Sequence, residues 1–168
     1  MEQTELDDLN RDELFEEAKG WCKTRAKGTI CGCLLLIVLS VIMLLPLFKQ
    51  GLNEPKNVIS LILWSIIGCI ACWSLWHNYR FLKDIENNDT PNQLLSRFTK
   101  YIRIEMICAS VAWISLIADT FISSNFVLTI SLLIAFVLSM IMAIKGYGSW
   151  HRRDKEIIEQ LKGLIEKK

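Results

Sequence analysis

Charge is missing from this chain over long stretches. Gly28–Phe48, Asn57–Tyr79 and 120–144 contain no Asp, Glu, Lys or Arg. Each exceeds the ~20 apolar residues that carry a helix across a bilayer core of ~30 Å. A fourth stretch, Met106–Ala118, reaches that length when taken from Ile104 to Phe121. A small soluble domain could not cover four such segments, so a water-soluble fold is excluded at the level of sequence. Other absences narrow the function. There is no large basic face, so nucleic acid is not an expected partner. The start is acidic and the first apolar run begins only at Gly28, which does not fit a cleavable signal peptide. No Gly-rich phosphate loop, His-Glu-x-x-His spacing or Ser/His/Asp set is present. No acid lies at the middle of a span, as a proton-coupled transporter would require.

What is present is heavily charged sequence between the spans, which holds the mean hydropathy to +0.31. The first 27 residues carry five bases against eight acids, and the tail from Lys145 carries seven against four. The expected fold is all-α: a polytopic membrane protein with four antiparallel transmembrane helices and cytoplasmic helical extensions. Its expected parts are a cytoplasmic amphipathic helix over 1–27 and spans at 29–48, 57–77, 104–121 and 126–145. A cytoplasmic helical hairpin over 78–103 and a second amphipathic helix over 146–168 complete the single domain. Basic residues set the orientation. Seventeen fall in the two ends and the central hairpin, and two in the outer loops. Both termini are therefore expected in the cytoplasm of a multi-pass protein of the plasma (inner) membrane. Trp21, Trp73, Trp76, Tyr79, Tyr101, Tyr147 and Trp150 gather at the inner boundary, in keeping with this.

Local signals refine the reading. Asn10 is an expected N-cap, with Leu14, Phe15, Ala18, Trp21 and Cys22 forming one helical face. Pro46 is placed to bend or stop span one. Thr90-Pro91-Asn92-Gln93 combines a capping residue, a proline suited to the first helical position and a glutamine that can reach back. Phe81, Leu82 and Ile85, then Leu94, Leu95, Phe98 and Ile102, continue apolar stripes beyond the spans. Ile157, Ile158, Leu161, Leu164 and Ile165 form a further stripe. The four stripes are expected to bury one another as a short stalk.

Candidate sites are sparse. Cys31, Cys33, Cys69, Cys72 and Cys108 share a depth near the inner boundary, with Cys22 just outside. Cys69, Cys72 and His77 are the weak candidates for metal, against the plainer reading that cysteine packs well between helices. Acylation of Cys22 or Cys31 is a separate expectation. No cofactor is expected. Gly28 and Gly32, and the ladder Ser131, Ala135, Ser139 and Ala143, are small residues that allow close helix approach. Internal packing is the favoured use of the ladder, and a homo-oligomer face is the other. Asp119 reads as a hydrated turn residue and Glu105 as a solvated edge residue. Leu14, Phe15, Ile158 and Leu161 are candidates for binding a partner.

The expected function is a non-enzymatic integral membrane protein. Its cytoplasmic helices would bind or regulate a cytoplasmic or membrane protein partner. A channel or transporter, or a subunit of one, is the alternative, and a membrane thiol or metal enzyme the second. The tip generates one prediction. Thr90→Ala or Pro91→Gly should destabilise that corner by ~1 kcal/mol through lost capping and rigidity. Membrane insertion should remain intact, which alkali extraction of the variants would check.

Overall fold

The computed structural model describes residues 2–50, 54–87, 90–122, 130, 133–138, 141 and 149–166. Four helices organise them: α1 (Glu2–Gln50), α2 (Pro55–Glu86), α3 (Pro91–Ile122) and α4 (Ser149–Glu166). Residues 133–138 are also helical. Three of the helices, α1 to α3, are long and apolar enough to cross a membrane. The expected fourth span, at 126–145, lies largely outside the described residues.

α1 is longer than its sequence signals imply. The expected soluble helix and span one are one continuous rod of 49 residues. Asn10 is inside it rather than at its cap, and Pro46 neither stops it nor ends it. Residues 2–9 contain no Gly or Pro, so no strong helix breaker opposes extension past Asn10. α2 starts at Pro55, where the missing N–H of proline falls in the first turn, which has no intrahelical acceptor for it. It ends at Glu86, and Asn87 N–H donates to the Asp84 carbonyl over 3.2 Å. α3 begins at Pro91, and its first bond runs from Leu94 N–H to the Thr90 carbonyl over 3.2 Å. That places Thr90 at the cap position anticipated for it.

α2 shows how the helices pack. Its buried residues are Ser60, Trp64, Ile67, Ala71, Ser74, Asn78, Phe81 and Ile85. The spacing alternates four and three throughout, which is the heptad of left-handed, nearly aligned helix packing. α3 answers with Leu94, Phe98, Tyr101, Cys108, Ser115 and Asp119 in the same period. Along the seam, Phe81 stacks on Phe98 and Tyr101, and Trp64 meets Asp119. α1 runs antiparallel to α2, with Cys33 against Ser74 and Ser40 against Gly68.

The two ends of the bundle differ in character. At the charged end the expected stripes do bury one another. Ala18, Cys22 and Ala26 of α1 join Phe81 and Ile85, Leu94, Phe98 and Tyr101, and Ile157, Leu161 and Leu164 in one core. At the apolar end the large side chains turn outward. Leu35 is 72% exposed and Phe121 70%, while the seam holds Ser40, Ser60, Ser115 and Asp119. Such an inverted arrangement suits lipid rather than water around the apolar end.

Two glycines separate by environment. A Cβ on Gly28 would come within 2.6 Å of Trp150 Cη2, whereas one on Gly32 would meet nothing within 4 Å. Gly28 thus admits the Trp150 ring, which also lies 5.7 Å from Trp21. Gly32→Ala is expected to raise stability by up to ~1 kcal/mol from helix propensity. Gly28→Ala should lose that gain to displacement of the indole, read as a shift in tryptophan emission that Gly32→Ala lacks.

Candidate functional site

A layer of polar side chains lies where the charged end meets the apolar helices. Its centre is Arg25 of α1. Arg25 Nη2 stands 2.9 Å from Glu105 Oε2 on α3, and its Nε donates to Asp154 Oδ2 of α4 over 3.2 Å. All three side chains are largely buried. Trp21 Nε1 donates to the other Asp154 oxygen over 2.8 Å. The guanidinium also lies 5.2 Å from the Trp150 ring, a cation–π placement. One cation therefore joins three helices.

α2 enters through neutral groups. Arg25 Nη1 donates to Thr29 Oγ1 over 3.1 Å, and Thr29 bonds Glu105 Oε1. The Tyr101 hydroxyl lies 3.2 Å from Thr29 Oγ1 and donates to Asn78 Oδ1 over 2.6 Å. Asn78 Nδ2 in turn donates to the Ser74 carbonyl over 2.7 Å, and Cys33 Sγ donates to Ser74 Oγ over 3.4 Å. The chain of contacts runs from Trp21 to Cys33 and touches α1, α2, α3 and α4. Burial, and then the Glu105 charge, push the Tyr101 phenol above its usual range, so it stays a hydroxyl donor at neutral pH.

Above this layer is a cavity of about 590 Å³. Small side chains make most of its wall, among them Gly32, Cys33, Ala71, Cys108 and Ala112, with Arg25 and Glu105 at one end. Its size falls within the range of small-molecule pockets. Its wall sets the Arg25–Glu105 ion pair and the Thr29 and Ser74 hydroxyls among mostly apolar groups, an arrangement suited to binding. Further along the seam, Trp64 Nε1 donates to Asp119 Oδ2 over 3.0 Å.

Several expectations change. Glu105 is not solvated: it is buried and paired with Arg25, because both sit on inward-facing helix positions. Asp119 is not a hydrated turn residue, since α3 continues to Ile122 and carries it into the seam. Cys69 and Cys72 are exposed, while the His77 ring stacks between Trp73 and Tyr101, each 6.2 Å away. Among the described residues no group of three His, Cys, Asp or Glu is placed to hold a metal. Cys22 is fully buried, so an acyl chain has no room there; Cys31 is exposed. Of the small-residue ladder, Ala135 is exposed rather than internal. The structural setting of Ser131, Ser139 and Ala143 lies outside the described residues. Leu161 is fully buried, and Leu14, Phe15 and Ile158 pack against the same core, so these four hold the stalk together.

Arg25, Thr29, Asn78, Tyr101 and Asp154 were not singled out from sequence as site residues. A signal existed. Asp154 precedes Ile157, Leu161 and Leu164 on one stripe, and Asn78 precedes Phe81 and Ile85 on another. A polar residue in register with an apolar stripe must be buried with the stripe, and must then find partners.

Comparison with protein-family models, curated proteins and solved structures finds no match to this chain.

Two predictions follow from the layer. Arg25→Met leaves Glu105 and Asp154 buried without their cation, which should destabilise the bundle by about 3–5 kcal/mol. Detergent-titrated unfolding measures this, and Arg25→Lys should recover only part of it, since an ammonium cannot span both carboxylates. Burial, and then the Asp154 charge, push the Cys22 thiol up to about 12. Because the folded value lies above the ordinary thiol value of 9.0, its contribution to stability is present below pH 9 and lost as pH rises toward about 12. Maleimide at neutral pH should spare Cys22 until the protein is unfolded, as peptide mapping would show.

Proposed function

We propose that the protein is a multi-pass membrane protein of four spans, with both termini and the 78–103 hairpin in the cytoplasm, that acts without catalysis by binding a protein partner through the outer faces of its charged end. The inverted distribution of large apolar side chains supports the membrane placement. The bias of basic residues supports the orientation.

One observation carries the binding reading. The apolar stripes at the charged end are consumed in the internal core, so what that end offers outward is charge. On α1 the exposed residues include Asp12, Glu13, Glu16 and Glu17. A partner with a basic surface is complementary to this face, and such complementarity favours specificity and association rate. The stalk helices cannot be peeled away to meet a partner without opening the core.

The cavity of about 590 Å³ beside Arg25 and Glu105 favours a second reading, a channel or transporter subunit. The seam is also less dry than four apolar spans suggest, with Ser40, Ser60, Ser74, Asn78 and Ser115 buried along it. Ion flux in proteoliposomes, abolished by filling the cavity with Gly32→Leu, would favour that reading.

The primary reading is tested by crosslinking in cells. Photo-reactive residues at Asp12 and Glu16 should capture one common protein. With the photo-reactive residue kept at Asp12, replacing Glu13 and Glu16 by Lys should remove the adduct and leave the melting temperature within a few degrees, as for surface changes of less than ~0.5 kcal/mol. Adducts with lipid alone, or a protein adduct indifferent to the charge reversal, would count against it.

A further inference from the structure

A second pocket, of about 410 Å³, lies between α2 and α3 on the outside of the polar layer. Its character is opposite to that of the first. Arg80, Arg97 and Lys100 supply three cations at its wall, against the single carboxylate of Asp84. Asp84 is already committed to Arg97, 2.7 Å away. Arg80 and Lys100 are exposed, and no ion pair holds either among the described residues. The Arg80 guanidinium lies 5.6 Å from the Trp76 ring. His77 also lines the pocket, and its Nε2 is buried with no hydrogen-bond partner among the described residues. The stacked rings of Phe81 and Tyr101, 4.2 Å apart, form a rigid floor.

The pocket therefore presents, on an aromatic base, two exposed cations that no ion pair holds among the described residues. That set fits an anion with several acceptor oxygens, as in a phosphodiester. Its height in the fold decides the source. His77 and Ile104 mark the ends of the apolar segments of α2 and α3. Beside the pocket, Trp73, Trp76 and Tyr79 are exposed, the placement of aromatics at a bilayer headgroup layer. Ile66 and Ile62 continue the exposed face of α2 beyond them, where acyl chains could lie. Basic pockets between membrane helices on the cytoplasmic side are suited to acidic headgroups.

We propose that the cleft between α2 and α3 bounded by His77, Arg80 and Lys100 is a binding site for the phosphate of an anionic phospholipid. This rests on the membrane placement and orientation proposed above, and is independent of the protein partner. Arg80 and Lys100 meet the phosphate oxygens, and Trp76 and Trp73 flank the upper chains. The site would fix the depth of the hairpin at the membrane surface and join the two helices through a shared anion.

Native mass spectrometry of the full chain, released from vesicles of equal parts phosphatidylglycerol and phosphatidylcholine, tests this. Wild-type protein should retain phosphatidylglycerol over phosphatidylcholine by about fivefold or more. Arg80→Gln with Lys100→Gln should bring the ratio to about one without lowering the melting temperature, since both side chains are exposed. Lys27→Gln, at an exposed base on α1, should leave the preference in place. Equal retention of the two lipids by wild type would overturn the proposal, as would a preference that survives in the double variant. Displacement of the lipid by excess inorganic phosphate would assign the site to a soluble anion and overturn the lipid.

Discussion

The structure depends on one buried guanidinium. Arg25 reaches Glu105 on α3 and Asp154 on α4, and through Thr29 and Tyr101 it reaches Asn78 on α2. Each of these groups would be expensive to bury alone. Together they satisfy one another only if all four helices stand in one register. A purely apolar stalk of the same length would pack in several registers at similar energy, because Leu and Ile side chains slide past one another readily. Aligned polar groups remove that freedom.

The layer also divides the molecule. Toward the charged end, large residues are buried and charged ones exposed, as water demands. Toward the other, the large residues face out and the seam is small or polar. Those rules are opposed, and they meet at the level of Thr29, Asn78, Tyr101 and Glu105. The anionic-lipid cleft lies at this same level on the outside, lined by Tyr101, whose hydroxyl belongs to the inner layer. Lipid occupancy and the packing of α2 on α3 are thereby physically adjacent.

Much of this was legible in the sequence, and the reasons for the rest are physical. The uncharged runs marked four spans, three of which coincide with helices long enough to cross a membrane, and Thr90-Pro91 marked the start of α3. The stripes at Phe81, Leu94 and Ile157 marked the stalk core, because in water burial and hydrophobicity coincide. They do not coincide in an apolar segment. Ser60, Ser74 and Ser115 lie in the seam while Leu35 lies outside, so hydrophobic periodicity there points away from the interior. Glu105 and Asp119 were misjudged for a related reason: each sits near a segment end, where solvation is the ordinary expectation. Their partners, Arg25 and Trp64, are 80 and 55 residues away in the chain. Gly28 and Gly32 look equivalent in sequence, and only the approach of Trp150 separates them.

The central claim is that Arg25 and Asp154 are energetically coupled across α1 and α4. A double-mutant cycle on the full chain, using Arg25→Met and Asp154→Asn with reversible detergent unfolding, measures that coupling directly. The account predicts a coupling of about 2 kcal/mol or more, as for buried members of one network. Additivity within ~0.5 kcal/mol would contradict it and leave the helices held by apolar packing alone.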